Sequence, residues 1–219
     1  MKLILVAGGN VETGWLTELL DREFRNAPGQ VKLLGVDAGV LYIERAGYVP
    51  DQVIGDFDSV SDPDRIRILN SYKEKRVLNP VKDDTDMEAA LRLAVTMKPE
   101  ELLMLGAVGT RLDHTMTNIR LLAIPEEAGV PAVILDPHNR IRRIESGTVI
   151  RREEQYGKYI SLMAVSGEVM GLTLTGFKYT LTDGMLPAET SLGISNEITD
   201  EFGKISFTGG KLLLLETKD

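Results

Sequence analysis

Between residues 3 and 135 short apolar runs alternate with amphipathic segments, and after Asp136-Pro137 that alternation stops. Such alternation builds βαβ units, because parallel strands need crossover helices and those helices cover the faces of the sheet. Strands are expected at residues 3–6, 31–36, 53–54, 102–105 and 130–135, with a shorter run at Val77-Leu78, and helices at 12–24, 40–46, 63–72, 85–97 and 112–124. Pro63 stands where proline suits the first helical turn. The remainder is short and β-prone, with pieces at 148–151, 158–165, 172–174, 177–181, 204–207 and 211–215. Turn chemistry separates them at Ser166-Gly167, Asp183-Gly184 and Gly209-Gly210, the last spaced as a two-residue hairpin loop would be. The expected architecture is α/β: a mostly parallel doubly wound sheet domain over residues 1–137, then a small all-β sandwich domain over 138–219.

Composition narrows the functions such a fold could carry. A chain of 219 residues can bury a substantial core, so stability does not force oligomerisation. The net charge of -8 argues against nucleic-acid binding, which needs clustered Lys and Arg. With no cysteine there are no disulfides, thiolate metal sites or cysteine nucleophiles, and a cytoplasmic location is expected. The opening run reaches Gly8-Gly9-Asn10 and Glu12 too soon for a signal peptide, and no apolar run is long enough for a membrane span.

Acidic and glycine-rich clusters follow the predicted strands, at the edge where doubly wound sheets bind ligands. They are Asp37-Ala38-Gly39, then Gly55-Asp56-Phe57-Asp58-Ser59, then Lys82-Asp83-Asp84-Thr85-Asp86, and Gly106 to His114 with Gly109, Arg111 and Asp113. Each has a plain structural reading beside the functional one. Asp-x-Asp could cap the helix that starts near Ser61, Asp84 or Thr85 could cap the next, Arg111 could pair with a surface carboxylate, and His114 with Asn118 could be hydrogen-bonded framework. Met87, Met97, Met104 and Met116 read as core filler. Electrostatics favours function: if Asp37, Asp56, Asp58 and Asp86 converge, each close pair costs on the order of 4 kcal/mol at an effective dielectric near 20. A cation is then required, and an all-oxygen donor set suits Mg²⁺ held by carboxylates and substrate phosphates. Arg111 and Lys82 would meet phosphate oxygens. Neither a Walker A sequence nor Gly-x-Gly-x-x-Gly occurs.

In order and spacing these clusters, together with Gly176-Phe177-Lys178-Tyr179 and Ile194-Ser195-Asn196-Glu197, resemble the bacterial thiamine pyrophosphokinases. The resemblance implies a catalytic α/β domain, a β-sandwich that binds thiamine and dimerises, and a homodimer. It implies Mg²⁺-dependent transfer of a pyrophosphoryl group from the co-substrate ATP to the hydroxyl of thiamine, with AMP leaving. Asp56, Asp58 and Asp86 match the metal and phosphate region, Asp37 a further active-site acid, Asp83, Thr85 and Arg111 the nucleotide side, and Ser195 with Asn196 the thiamine-contacting segment. Asp113 and His114 match the motif as organisers of its loop, and Lys82 stands in the phosphate-facing cluster. Asp37 and Asp58 are the candidates for orienting the attacking hydroxyl, and Phe57 for a buried support beneath the acids. Ala38 and Thr110 replace glycines common in the family, and Tyr179 stands where some members carry tryptophan, as an aromatic candidate for stacking on thiamine. Two rival readings remain at this point: a nucleotide-sugar glycosyltransferase, which also uses Asp-x-Asp, and a catalytically silent nucleotide or thiamine sensor.

Overall fold

The computed structural model describes residues 1–79, 81, 83–165 and 167–219, and the chain divides into two compact units, Met1–Pro137 and His138–Asp219. In the first unit the elements run β1 (Lys2–Val6), α1 (Thr13–Asn26), β2 (Val31–Val36), α2 (Gly39–Arg45), β3 (Gln52–Gly55), α3 (Asp62–Ser71), β4 (Lys75–Val77), α4 (Asp86–Thr96), β5 (Glu101–Leu105), α5 (Leu112–Leu121), α6 (Ala123–Glu127) and β6 (Ala132–Leu135). Its strands pair in the order β4-β3-β2-β1-β5-β6, each neighbouring pair parallel. After β4 the chain crosses back over the sheet to place β5 on the free side of β1. Strand order therefore reverses at β1, and such a reversal is where doubly wound sheets bind ligands beyond the strands' carboxyl ends.

The strands read as near-continuous apolar runs because helices cover them: Leu3, Ile4, Leu5 and Val6 are all buried, as are Leu102 to Leu105. Two proline effects shift the expected boundaries. The helix expected over 112–124 splits into α5 and α6, because Pro125 has no N–H to continue the ladder of α5. The strand expected from Val130 starts at Ala132, since Pro131 contributes only its carbonyl, which accepts from Leu102 N.

The second unit comprises β7 (Asn139–Ile144), β8 (Thr148–Arg151), β9 (Tyr159–Ala164), β10 (Glu168–Thr175), β11 (Leu181–Pro187), β12 (Phe202–Ser206) and β13 (Leu212–Thr217). Strands β7, β13 and β9 pair antiparallel in that order, and β11-β10-β12-β8 form a second antiparallel sheet. Inward residues from both, among them Ile144, Ile160, Leu162, Leu172, Ile205, Leu212 and Leu214, share one core. This is the smaller all-β sandwich.

Three local expectations for this unit are corrected. Gly209-Gly210 is not a hairpin loop: β12 and β13 lie in different sheets, and Gly209 bridges to Met170. Asp183-Gly184 is not a turn between strands but lies inside β11, where Asp183 has φ 49° and the pairing with β10 shifts register, so the turn-forming residues make a bulge. Phe177 forms only an isolated bridge to Ile198, and strand structure begins at Leu181. β7 was not expected, because half of Asn139-Arg140-Ile141-Arg142-Arg143-Ile144 is arginine. It is held by a fully buried carboxylate: Glu216, opposite Arg140 in register, takes a two-pronged hydrogen bond from that guanidinium at 2.5 Å.

One close approach ties α2 to the sheet. A Cβ at Gly39 would stand 1.9 Å from the Val6 carbonyl oxygen, so the first turn of α2 fits against β1 only with glycine there. Gly39→Ala is expected to lower the melting temperature by about 4 °C or more, the scale of a loss of 2 kcal/mol or greater in a core contact. Thermal unfolding by circular dichroism checks this.

Candidate active site

The crevice beyond β1 and β5 is a cleft of about 360 Å³ lined by Gly8, Gly9, Asn10, Asp37, Tyr42, Ser59, Thr85, Asp86, Gly109, Arg111 and His114, among others. Its walls are the carboxyl-end loops of β1, β2, β3 and β5 and the first turns of α4 and α5. The loop after β1 is stitched to the loop after β5, Gly9 N donating to Gly106 O at 2.9 Å and Asn10 N to Val108 O at 2.8 Å. Helix α5 holds the same glycine loop from below: Thr115 Oγ1 accepts from Gly109 N at 3.1 Å, and Asn118, buried, donates to Ala107 O at 2.7 Å. Thr85 caps α4, its hydroxyl accepting from Glu88 N at 3.2 Å. Both helices thus present their amino-terminal ends to the cleft, where backbone N–H groups favour an anion.

At the cleft's edge three carboxylates converge. Asp37, Asp56 and Asp58 each offer one oxygen within 4.8 Å of the others. The backbone that achieves this is strained at two positions: Asp37 has φ 49° and Phe57 has φ 56°, the left-handed region that non-glycine residues rarely enter. Gly55, at φ 153°, lets this happen, since a Cβ there would press within 3.1 Å of the Asp37 backbone. Asp56 and Asp58 face one way through a tight turn rather than through extended chain, as their spacing suggested. Asp56 Oδ1 accepts from Asp58 N at 3.3 Å, an Asx-type turn around Phe57. Phe57 itself is fully buried among Val40, Val53 and Ile68, the support expected beneath the acids.

The trio calls for a cation. Oδ1 of Asp37 is buried and meets no hydrogen-bond donor among the described residues, while its other oxygen accepts from the Ser59 hydroxyl. Burial raises the Asp37 pKa above its usual value; the Ser59 hydrogen bond opposes this, and the charges of Asp86 and Asp56 add to the rise. An all-oxygen donor set with an unsatisfied buried carboxylate oxygen fits a hard divalent ion such as Mg²⁺.

Two family models match the chain: the catalytic domain of thiamin pyrophosphokinase over residues 29–134 and the thiamin pyrophosphokinase vitamin B1 binding domain over 147–212. The chain belongs to the thiamine pyrophosphokinase family. The thiamine pyrophosphokinase of Bacillus subtilis is 33% identical over 186 residues, 85% of this chain and 87% of that protein. A crystal structure of the Bacillus subtilis enzyme superposes with a TM-score of 0.86 at 31% identity over the full length of both chains, and one from Geobacillus thermodenitrificans with a TM-score of 0.82 at 32% identity over 100% of this chain and 98% of that one. Thiamine pyrophosphokinases are ATP-dependent pyrophosphotransferases, which sets aside the glycosyltransferase reading.

Against that family pattern, the expected site residues fall into groups. Asp37, Thr85, Asp86, Arg111 and His114 line the cleft, and Asp56 and Asp58 join Asp37 at its edge. The expected metal set was Asp56, Asp58 and Asp86; the trio brought together is Asp56 and Asp58 with Asp37, while Asp86 faces Asp37 closely enough to affect its charge. Asp-x-Asp is not the cap of α3: Ser61 is, accepting from Asp64 N. Arg111 and Asp113, both exposed, pair at 2.7 Å, and the guanidinium holds the Asp113 carboxyl down at about 2. Asp83 is exposed on the approach to α4, and Lys82 lies outside the described residues.

In the second unit Ser195 is exposed with φ 57°, its N–H held by Ser161 Oγ at 2.9 Å. Asn196 is buried and works as a clamp: Oδ1 accepts from Tyr179 N and Glu197 N, and Nδ2 donates to Tyr179 O at 2.7 Å. Tyr179 is exposed, with Lys178 5.6 Å from its ring. Met87 and Met104 are core, whereas Met116 is exposed.

Gly8, Gly9, Asn10, Tyr42 and Ser59 line the cleft without having been singled out as site residues. Gly8-Gly9 directly after a first strand, in a sheet that reverses at that strand, is the signal that could have found the loop.

Asp37→Asn tests the electrostatics of the acids. A carboxyl whose pKa is raised on folding contributes stability that is present below its unfolded pKa and lost as pH rises through the folded value, so ionised Asp37 weakens the metal-free fold near neutrality. Asparagine tolerates the left-handed backbone and can still accept from Ser59. The variant is expected to melt higher than the parent at pH 8 in a chelator, with the advantage shrinking towards pH 4.

Proposed function

We propose that this chain forms thiamine diphosphate, transferring the β,γ-pyrophosphoryl group of ATP to the hydroxyl of thiamine with release of AMP in a Mg²⁺-dependent reaction. The observation that carries the reading is the acid trio at the edge of a cleft that is also lined by the first turns of α4 and α5 and by Arg111. Phosphoryl-type transfer needs little covalent chemistry from a protein; it needs the reacting oxygens aligned and their charge neutralised.

Each group then has a part. The hydroxyl oxygen of thiamine attacks the β-phosphorus, the bond from that phosphorus to the α-bridging oxygen breaks, and AMP departs with that oxygen. Asp37, Asp56 and Asp58 would hold Mg²⁺, with Asp86 beside them; when bound, the ion neutralises charge on the phosphate oxygens. Arg111 leaves Asp113 for a phosphate oxygen, an exchange between two exposed partners that costs little. Lys82 is assigned to the same phosphates, and Asp83 and Thr85 to the nucleotide side. Asp113 and His114 organise the loop at the start of α5. Asp37 or Asp58 accepts a hydrogen bond from the thiamine hydroxyl and orients it. Ser195 and Asn196 are assigned to the thiamine side, Ser195 by contact and Asn196 by shaping the segment that carries it. The reading includes a homodimer and a cytoplasmic location; among the described residues no helix is long and apolar enough to cross a membrane.

The deciding assay incubates the chain with ATP, Mg²⁺ and thiamine and measures nucleotide products by chromatography. Equimolar AMP and thiamine diphosphate are expected; ADP as the stoichiometric product, or no thiamine-dependent turnover, sinks the reading. Asp56→Asn and Asp58→Asn should each reduce kcat by about a hundredfold or more while leaving the metal-free melting temperature unchanged or raised, because repulsion is relieved. Ser195→Ala should raise the KM for thiamine more than the KM for ATP.

A further inference from the structure

Outside the cleft, on the two helices that flank the acid trio, lies a hydrogen-bonded cluster that no step above uses. Glu44, on α2, receives both prongs of the Arg67 guanidinium from α3, Nη1 to Oε1 and Nη2 to Oε2, each at 2.7 Å. The Tyr72 hydroxyl, at the end of α3, donates to the same Oε1 at 2.7 Å. Arg67 also reaches Asp64 at 3.3 Å, and Asp64 takes a hydrogen bond from the Ser61 hydroxyl that caps α3. The Arg67 hydrogen bonds hold the Glu44 carboxyl below its usual pKa, and burial followed by the Glu44 hydrogen bond pushes the Tyr72 phenol up.

The energetics of this cluster are unremarkable, but its geometry is specific. Arg67 is 43% exposed and Glu44 24%, so the pair adds little stability by itself. Two parallel N–H···O bonds plus a third to the same carboxylate do, however, fix distance and orientation between the helices. The two helices begin just after the two halves of the acid site. α2 follows Asp37 after one residue, and α3 follows Asp58 through Ser59, Val60 and Ser61.

Asp37 is fixed independently. Its N–H donates to Ile54 O at 2.9 Å and its backbone packs on Gly55. Asp58 is exposed, and its N–H donates to its neighbour Asp56 at 3.3 Å rather than to the sheet. Its position follows from the Phe57 turn behind it and from where α3 starts ahead of it. Val40 of α2, Phe57 and Ile68 of α3 share one small core, with Tyr72 packed against it, so the clamp's phenol also packs on the cluster that holds Phe57.

We infer that Glu44, Arg67 and Tyr72 are positioning residues that set the spacing of Asp58 from Asp37, and so tune the carboxylate site for its divalent ion. This rests on the metal-binding reading given above. The clamp acts through α2 and α3, and its members are not among the residues that line the cleft.

The test compares the parent with Arg67→Lys, which keeps the charge and loses the fork, with Tyr72→Phe, and with the swapped pair Glu44→Arg/Arg67→Glu. Three measurements are made on the protein alone: Mn²⁺ affinity by calorimetry, hydrogen exchange by mass spectrometry in a chelator, and thermal unfolding. Arg67→Lys is expected to weaken Mn²⁺ by about tenfold, in the range of lost supports to metal ligands. Exchange should quicken over residues 56–61 while the sheet stays protected and the melting temperature falls by only a few degrees. Tyr72→Phe should give a smaller effect of the same pattern, and the swapped pair should recover part of the Mn²⁺ affinity. Unchanged exchange over 56–61 in Arg67→Lys overturns the inference, as does a general loss of protection with Mn²⁺ affinity intact. If the parent binds no Mn²⁺, the metal reading fails, and the exchange pattern decides by itself whether the clamp positions the loop.

Discussion

Carboxylates brought within 4.8 Å of one another repel, and most of what is specific about the first unit serves to hold them there. Left-handed backbone at Asp37 and Phe57, a glycine between them in space, and a fully buried phenylalanine are each unfavourable or restrictive taken alone. Together they make a turn that cannot relax outward, because Phe57 would have to leave its pocket among Val40, Val53 and Ile68. Strain and burial together hold the acids close despite their repulsion, as the proposed divalent-ion site would need. The β1–β5 crevice then adds the complementary part, lined by helix amino-termini and by Arg111.

Architecture was legible in the sequence wherever one physical cause dominated. Buried parallel strands such as Leu3 to Val6 and Leu102 to Leu105 are apolar throughout, so both their existence and type could be read. The proline effects at Pro125 and Pro131 were also present in the sequence, but a helical period running past Leu121 masked the first. Strand pairing was not legible at Gly209-Gly210, where hairpin chemistry serves a crossing between sheets instead. β7 escaped because its buried residues, Ile141 and Ile144, are three apart rather than alternating, and no apolar pattern announces the Arg140–Glu216 ion pair between residues 76 positions apart.

The candidate site shows the same division. Residue types and order pointed to Asp37, Asp56, Asp58, Asp86 and Arg111, because concentrated negative charge needs an explanation and a basic side chain nearby supplies part of one. How Asp56 and Asp58 face the same way was misread, since a two-residue period presumes extended chain and Phe57 is left-handed. The backbone contribution of Gly8-Gly9 was missed, as glycine loops carry no charge to notice and gain meaning only once β5 is known to lie beside β1. Thr85 and Asn118 do what their plain structural readings said while also lining the cleft, so capping and function are not alternatives at those positions.

In the second unit the Asn196 clamp closes a longer excursion at its neck. Lys178 N meets Glu197 O, Thr199 N meets Gly176 O, Phe177 bridges Ile198, and the Asn196 amide fastens Tyr179. The stretch between carries β11 and the exposed Glu189, Thr190 and Ser191. A segment tied off in this way is insulated. The exposed tip at 188–192 lies away from the anchors that Ser161 and Ile160 provide, so a change in its length is expected to leave the backbone of Ser195 in register.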